Sequence, residues 1–258
     1  LEIEDWGLGE RLVIGESQLP RFYAPLIDGE VAELPPDEAH HLTHVMRLRD
    51  GDEIRVFDGR GSEWRGRVER AGRRGAQVRL LDRVTPAAEP RVALTLAQAV
   101  LKGDKMDAVV RDATMLGVSA IQPLVSRRTI VRPTAARAES ARERWRRVAI
   151  ASAKQCRRAV VPEIHQPVAF EEWIVATGNG IILIEPEVGT TKAGPEDLHK
   201  PTSQALLIVG PEGGWEAAEV EAALRAGCRA LTFGALTLRA ETAPTVAIAA
   251  LRAWWGDF

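Results

Sequence analysis

Leu206-Leu207-Ile208-Val209-Gly210-Pro211-Glu212-Gly213-Gly214-Trp215 is the stretch that decides the fold. Its first four residues form an unbroken apolar run, as strands buried on both faces of a parallel sheet do. The run breaks into Gly-Pro-Glu-Gly-Gly and then enters a predicted helix at 216–226. That helix has acids in its first turn, where the macrodipole favours them, and Gly227 just past its end. In an open α/β sheet, ligands sit outside the carboxyl ends of the strands, and glycines let backbone amides approach them. A tight strand–helix turn with no ligand would have the same sequence, so the loop alone leaves both readings open.

The same texture extends outward in both directions. Strands are predicted at 92–97, 118–125, 180–185, 205–210 and 230–233, and helices at 104–116, 140–158 and 242–255. Alternation of this kind implies a parallel sheet with helices on both faces. The Pro/Ala segment 85–90 reads as a linker, since each proline blocks both helix continuation and ladder donation. Before it, the pattern is mainly strand-like, at 22–34, 53–57, 62–70 and 76–84, with Gly-rich turns between and one helix at 37–48. Residues 20–84 therefore read as a small β-barrel and 91–258 as an α/β domain, with 1–19 as an extension.

The chain has 258 residues, of which 45% are apolar and 27% charged, a globular composition. No apolar run approaches the roughly 20 residues that span a bilayer. The first 19 residues carry five acids and one Arg rather than a basic-then-apolar signal, so a cytoplasmic location is the expectation. Cys156 and Cys228 make no disulfide framework and lack metal-ligand spacing, which fits a reducing compartment. The net charge of −2 conceals a segregation. Residues 127–158 carry a local +9, residues 47–83 a local +4 and residues 159–258 a local −7. Two Arg-rich regions on a near-neutral chain point to a polyanionic partner such as nucleic acid. Arginine used simply as the surface cation would give a similar count.

Phosphate-binding P-loop, dinucleotide, zinc-protease and serine-hydrolase signatures are missing from the sequence. A second loop stands out instead, Phe233-Gly234-Ala235-Leu236-Thr237-Leu238-Arg239-Ala240-Glu241-Thr242-Ala243-Pro244. Thr242 as N-cap and Pro244 in the first turn serve the helix that follows. Arg239 is harder to explain by structure, unless it pairs with Glu241 to brace the loop.

Together these loops resemble the SPOUT superfamily of knotted methyltransferases, and within it the RsmE family, the 16S rRNA (uracil(1498)-N(3))-methyltransferases. The resemblance runs from about Pro20 to the end. It rests on His40-His41-Leu42 through Arg47, Gly51-Asp52, Gly103-Asp104-Lys105-Met106-Asp107, Leu116-Gly117-Val118, Arg144-Trp145, Gln155-Cys156 with Arg158, Gly210 to Gly214 and Leu238 to Ala243. It implies a PUA-like barrel on a SPOUT α/β domain with a C-terminal trefoil knot, a homodimer, and S-adenosyl-L-methionine as cofactor. The implied cofactor residues are Ile184, Glu185, Gly210, Pro211, Glu212, Gly213, Phe233, Gly234, Leu236, Leu238, Thr242 and Ala243.

The activity implied is methylation of N3 of a specific uridine (1498) in 16S rRNA of the small ribosomal subunit. Uracil N3 carries a proton at neutral pH and is a poor nucleophile, so that proton must leave or the anion must be stabilised. Arg239 is the candidate for stabilising the anion, while Glu241 or Glu212 could accept the proton, a structural role fitting each carboxylate as well. The base must be unpaired or extruded to enter a pocket. Arg47, Arg65 and Arg67, with Arg142, Arg146, Arg157 and Arg158, are the candidate phosphate contacts. Lys105 and Met106 fit either RNA positioning or dimer packing. His40 and His44 share a helix face, but no further ligand lies near in sequence and no metal is expected. Two rival readings are a SPOUT methyltransferase acting on another RNA or atom, and a non-catalytic RNA-binding or ribosome-assembly protein. Product mapping separates the first; binding of S-adenosylmethionine bears on the second.

Overall fold

The computed structural model describes residues 19–72, 75–130, 135–192 and 198–258. The expected N-terminal extension lies, up to residue 18, outside the described residues. The described chain forms two units. One contains the residues up to Asp58 with Ser62–Thr85, the other Gly59–Gly61 with Pro86–Phe258.

The first unit is a six-stranded sheet in the order β1-β4-β5-β6-β3-β2. Its strands are β1 Arg21–Tyr23, β2 Leu26–Asp28, β3 Val31–Leu34, β4 Glu53–Phe57, β5 Glu63–Gly72 and β6 Gly75–Val84. All neighbours are antiparallel except β1 and β4. β1 and β2 are the outer strands, so the expected barrel is an open one. Period-2 alternation sends Ile54, Val56, Val68, Val78 and Leu80 inward onto Phe22 and Leu42. Gly66 is required at its crossing, because a Cβ there would stand 2.6 Å from the Val78 side chain. The helix expected at 37–48 is α1, Pro36–His40, continued by a π-helical turn over His41–Val45 in which the Met46 amide donates to the His41 carbonyl at 2.9 Å.

The second unit is a seven-stranded, all-parallel sheet with its main path β10-β8-β7-β12-β11-β13 and β9 added beside β8. Its strands are β7 Ala93–Ala99, β8 Ala120–Val125, β9 Glu163–Ile164, β10 Val168–Ala169, β11 Ile181–Leu183, β12 Gln204–Val209 and β13 Arg229–Leu231. Its helices are α2 Lys105–Met115, α3 Ala135–Cys156, α4 Phe170–Thr177, α5 Ala217–Arg225 and α6 Ala243–Trp255. Both faces are covered, as a parallel sheet requires. Leu183, Leu207, Val209 and Leu231 pack with Val109, Trp145 and Ile248 on one side. The alternate residues Ile182, Ile208 and Ala230 pack with Ile174, Val220 and Ala223 on the other. Along α3, Trp145, Ala149 and Ser152 are buried, while Val148 and Cys156 are half-buried.

Near the end of the chain, the fully buried Arg252 donates to the carbonyls of Val92 and Gly117 and pairs with Asp257 at 2.7 Å. Asp257 in turn accepts the amides of Arg91 and Val92 at 3.0 and 2.9 Å. The end of the unit is thereby fastened to its beginning. No described helix is long and apolar enough to cross a membrane.

Candidate active site

Parallel strands β11, β12 and β13 are neighbours in register, so the loops leaving their carboxyl ends converge. They enclose a cavity of ≈ 360 Å³, within the size range of small-ligand sites. Two bonds fix its floor. The Trp215 indole donates to the Leu183 carbonyl at 2.9 Å, and the Ile184 amide to the Leu231 carbonyl at 2.9 Å. Gly210 lies against that indole, where a Cβ would come within 3.0 Å of Nε1. Gly214 has φ +66°, and a Cβ there would stand 2.7 Å from a Glu185 carboxylate oxygen. The loops thus present backbone to the cavity because side chains at these glycines would not fit.

Ile184, Glu185, Gly210, Pro211, Glu212, Phe233, Leu236, Leu238 and Ala243 line the cavity, together with Arg239 and Glu241. Gly213, Gly234 and Thr242 do not line it. The Gly213 carbonyl accepts Arg128 Nη1 at 2.9 Å, and Thr242 is the residue before α6 with no side-chain capping bond. Lys105, Trp215, Pro186, Thr232 and Thr237 also line the cavity and were not singled out as cofactor residues from the sequence. Trp215 directly follows the glycine loop, which is the one signal that could have included it. Lys105 lies more than seventy residues before β11, and its arrival depends on the sheet order.

The charged groups at the cavity form a chain. Glu212 Oε1 accepts the Lys102 amide at 3.1 Å and lies 3.5 Å from Lys105 Nζ. Lys105 Nζ also stands 3.4 Å from Glu241 Oε2, while Arg239 Nη1 is 4.0 Å from Glu241 Oε1. The Glu241 carboxyl is held below its ordinary value, first by its own backbone amide against the opposing effect of burial, and then by Lys105. The Arg239 side chain is 85% exposed, so its guanidinium is offered outward rather than consumed in a brace.

The candidate phosphate contacts separate into three kinds. Arg47 and Arg157 are exposed, both with positive φ, at 56° and 66°. Arg65 and Arg67 share Glu53, Arg65 also pairs with Asp82, and Arg142 and Arg146 pair with Glu139 and Glu143 one helical turn away. Arg158 requires a correction: it is buried, donates to the carbonyls of Thr114 and Val118, and pairs with Glu89 at 2.6 Å, so it faces the protein and not a phosphate. Met106 also belongs to the core. His40 and His44 stack with ring centroids 4.3 Å apart, and no group of three or more potential ligands gathers among the described residues.

Residues 88–252 match a family model described as RNA methyltransferase domain, and residues 34–81 one described as RNA methyltransferase PUA domain. A ribosomal RNA small subunit methyltransferase E from Synechocystis sp. is 33% identical, over 94% of this chain and 77% of its own length. One from Mycobacterium tuberculosis is 31% identical over 86% of each. Among solved structures, a ribosomal RNA small subunit methyltransferase E from Neisseria gonorrhoeae bound to S-adenosyl methionine superimposes with TM-score 0.82 at 33% identity, covering 92% of this chain and 98% of its own. A methyltransferase of Legionella pneumophila in complex with the same cofactor gives 0.83 at 28% identity, covering 91% and 97%.

Proposed function

The chain belongs to the ribosomal RNA small subunit methyltransferase E family, and on that premise we propose that it transfers the methyl group of S-adenosylmethionine to N3 of a specific uridine (1498) of 16S rRNA. The observation that carries this is the cavity at the ends of β11, β12 and β13, built from glycine backbone and charged at one side by Lys105, Glu212, Arg239 and Glu241. Bound there, S-adenosylmethionine supplies an electrophilic methyl on a sulfonium. Ile184, Glu185, Gly210 to Glu212, Phe233 and Leu236 to Leu238 would hold it, mainly through backbone groups.

The chain's own contribution is to bind the base and stabilise charge. N3 would take up the methyl from the sulfonium, and the N3 proton would pass to water. The exposed Arg239 guanidinium is suited to pair with the carbonyl oxygens of the uracil anion. Glu241, with its carboxyl held low and Lys105 as its nearer cation, is a weak proton acceptor and does not serve as the base.

The first unit, which includes the PUA match, and the exposed cations Arg47 and Arg157 would hold RNA. A C-terminal trefoil knot of the SPOUT kind is favoured by the position of the β11–β12 connection. Its Leu198 carbonyl accepts the Trp255 indole of α6, after the chain has already returned through β13 beside β11. A homodimer is favoured by the face of α6 that leaves Val246 and Trp254 exposed at i, i+8 spacing. A cytoplasmic site of action follows from an rRNA substrate.

The test is methyl transfer from labelled S-adenosylmethionine to small ribosomal subunits lacking the modification, with nucleoside mass spectrometry of the product. 3-Methyluridine at one site is expected. Label on another nucleoside would move the substrate, and no label with intact cofactor binding would make this a non-catalytic relative.

A further inference from the structure

Two carboxylates and two cations stand at one side of the cavity, and their pairing is unequal. Glu241 has two possible partners. Arg239, two residues away on the same loop, reaches Oε1 only at 4.0 Å, whereas Lys105, from the first turn of α2, stands 3.4 Å from Oε2. Oε2 is shielded from solvent and makes no hydrogen bond among the described residues. A carboxylate so placed needs a cation, and without Lys105 the nearest one is Arg239. Lys105 is itself held from a second side, 3.5 Å from Glu212 Oε1, and that oxygen also accepts the Lys102 amide. The β7–α2 connection is thus tied to the glycine loop by Glu212, and to the Arg239 loop by Lys105.

We propose that Lys105 is a positioning residue of the transfer reaction: by occupying Glu241 it keeps the Arg239 guanidinium free for the substrate base. The inference rests on the role of Arg239 given under Proposed function. Lys105 touches neither the reacting nitrogen nor the methyl group in this scheme. It acts by competition, because a carboxylate close to an exposed arginine would otherwise draw it into an ion pair and withdraw it from an anionic base.

Competition makes a prediction that simple bracing does not. Lys105→Ala loses about tenfold or more in kcat, part of what removal of a direct anion-stabilising donor costs, while the Kd for S-adenosylmethionine by calorimetry stays within about twofold. Removing the competitor as well, in Lys105→Ala/Glu241→Gln, restores most of the lost kcat, and Lys105→Arg retains it. Lys105 is partly exposed at a helix start, and Lys105→Gln supplies a second charge-free variant of similar length. Full kcat in Lys105→Ala beside a dead Arg239→Ala would overturn the proposal, as would a double variant no more active than Lys105→Ala. Full activity in Arg239→Ala would instead remove the underlying reading, and the proposal with it.

Discussion

Asp257 has a carboxyl pulled below its ordinary value although burial opposes the shift. The Val92 and Arg91 amides, then the charges of Lys200 and Arg252, outweigh the burial. A carboxyl lowered in the folded state contributes stability that is full above the unfolded value, near about 4, and is lost as pH falls through the folded value. Urea midpoints of the parent should therefore drop on acidification below about pH 4 more steeply than those of Asp257→Asn; parallel profiles would refute the assignment. Arg252→Leu, which removes the buried ion-pair partner of Asp257 and the donor to the Val92 and Gly117 carbonyls, should cost about 3 kcal/mol in the same titration. At this scale the sequence was only partly legible. Arg239 and Glu241 lie two residues apart on one loop and could be singled out. Arg158 was read as a phosphate contact because its partners, Glu89 and the carbonyls of Thr114 and Val118, are at least forty residues away.

Elements with a strong local pattern were legible: β12, its glycine loop and α5 are within a residue or two of their expected bounds. Those whose identity depends on a partner were not. β9 and β10 are two-residue strands defined only by pairing with β8, and α4 has too few residues to show a clear period. The helix at 37–48 changes to π geometry at His41, and the ordinary apolar period does not encode that change. The glycine loop offers a test at the same scale. Gly214 and Gly234 both have positive φ, but a Cβ meets Glu185 at the first and nothing within 4 Å at the second. Gly214→Ala should weaken S-adenosylmethionine binding by about tenfold, from added crowding on top of a backbone strain of roughly 1–2 kcal/mol. Gly234→Ala should show the smaller loss; equal losses in calorimetry would mean that crowding against Glu185 is irrelevant.

Over the whole molecule, the segregated charge seen in the sequence is partly spent internally. Arg127 pairs with Glu171 and Glu216, and Arg144 with Asp107, so the raw count overstates what is offered to a polyanion. Replacing Arg47 and Arg157 together by Ala should lower the salt dependence of RNA affinity by about 1.5 in log–log slope, the value for two lost phosphate contacts. Arg158→Ala should instead lower stability and leave that slope unchanged. An unaltered slope in the double variant would show that those two arginines do not touch the phosphate backbone. Composition could reveal that a basic surface exists, but not which arginines are committed to acids brought in by folding. The fastening of Asp257 to the amides of Arg91 and Val92 has a temporal consequence. A growing polypeptide can complete the first unit early, yet it cannot close the catalytic one until residue 257 has left the ribosome. The machine that carries this protein's proposed substrate must therefore have translated past residue 257 before the new molecule can act on any ribosome.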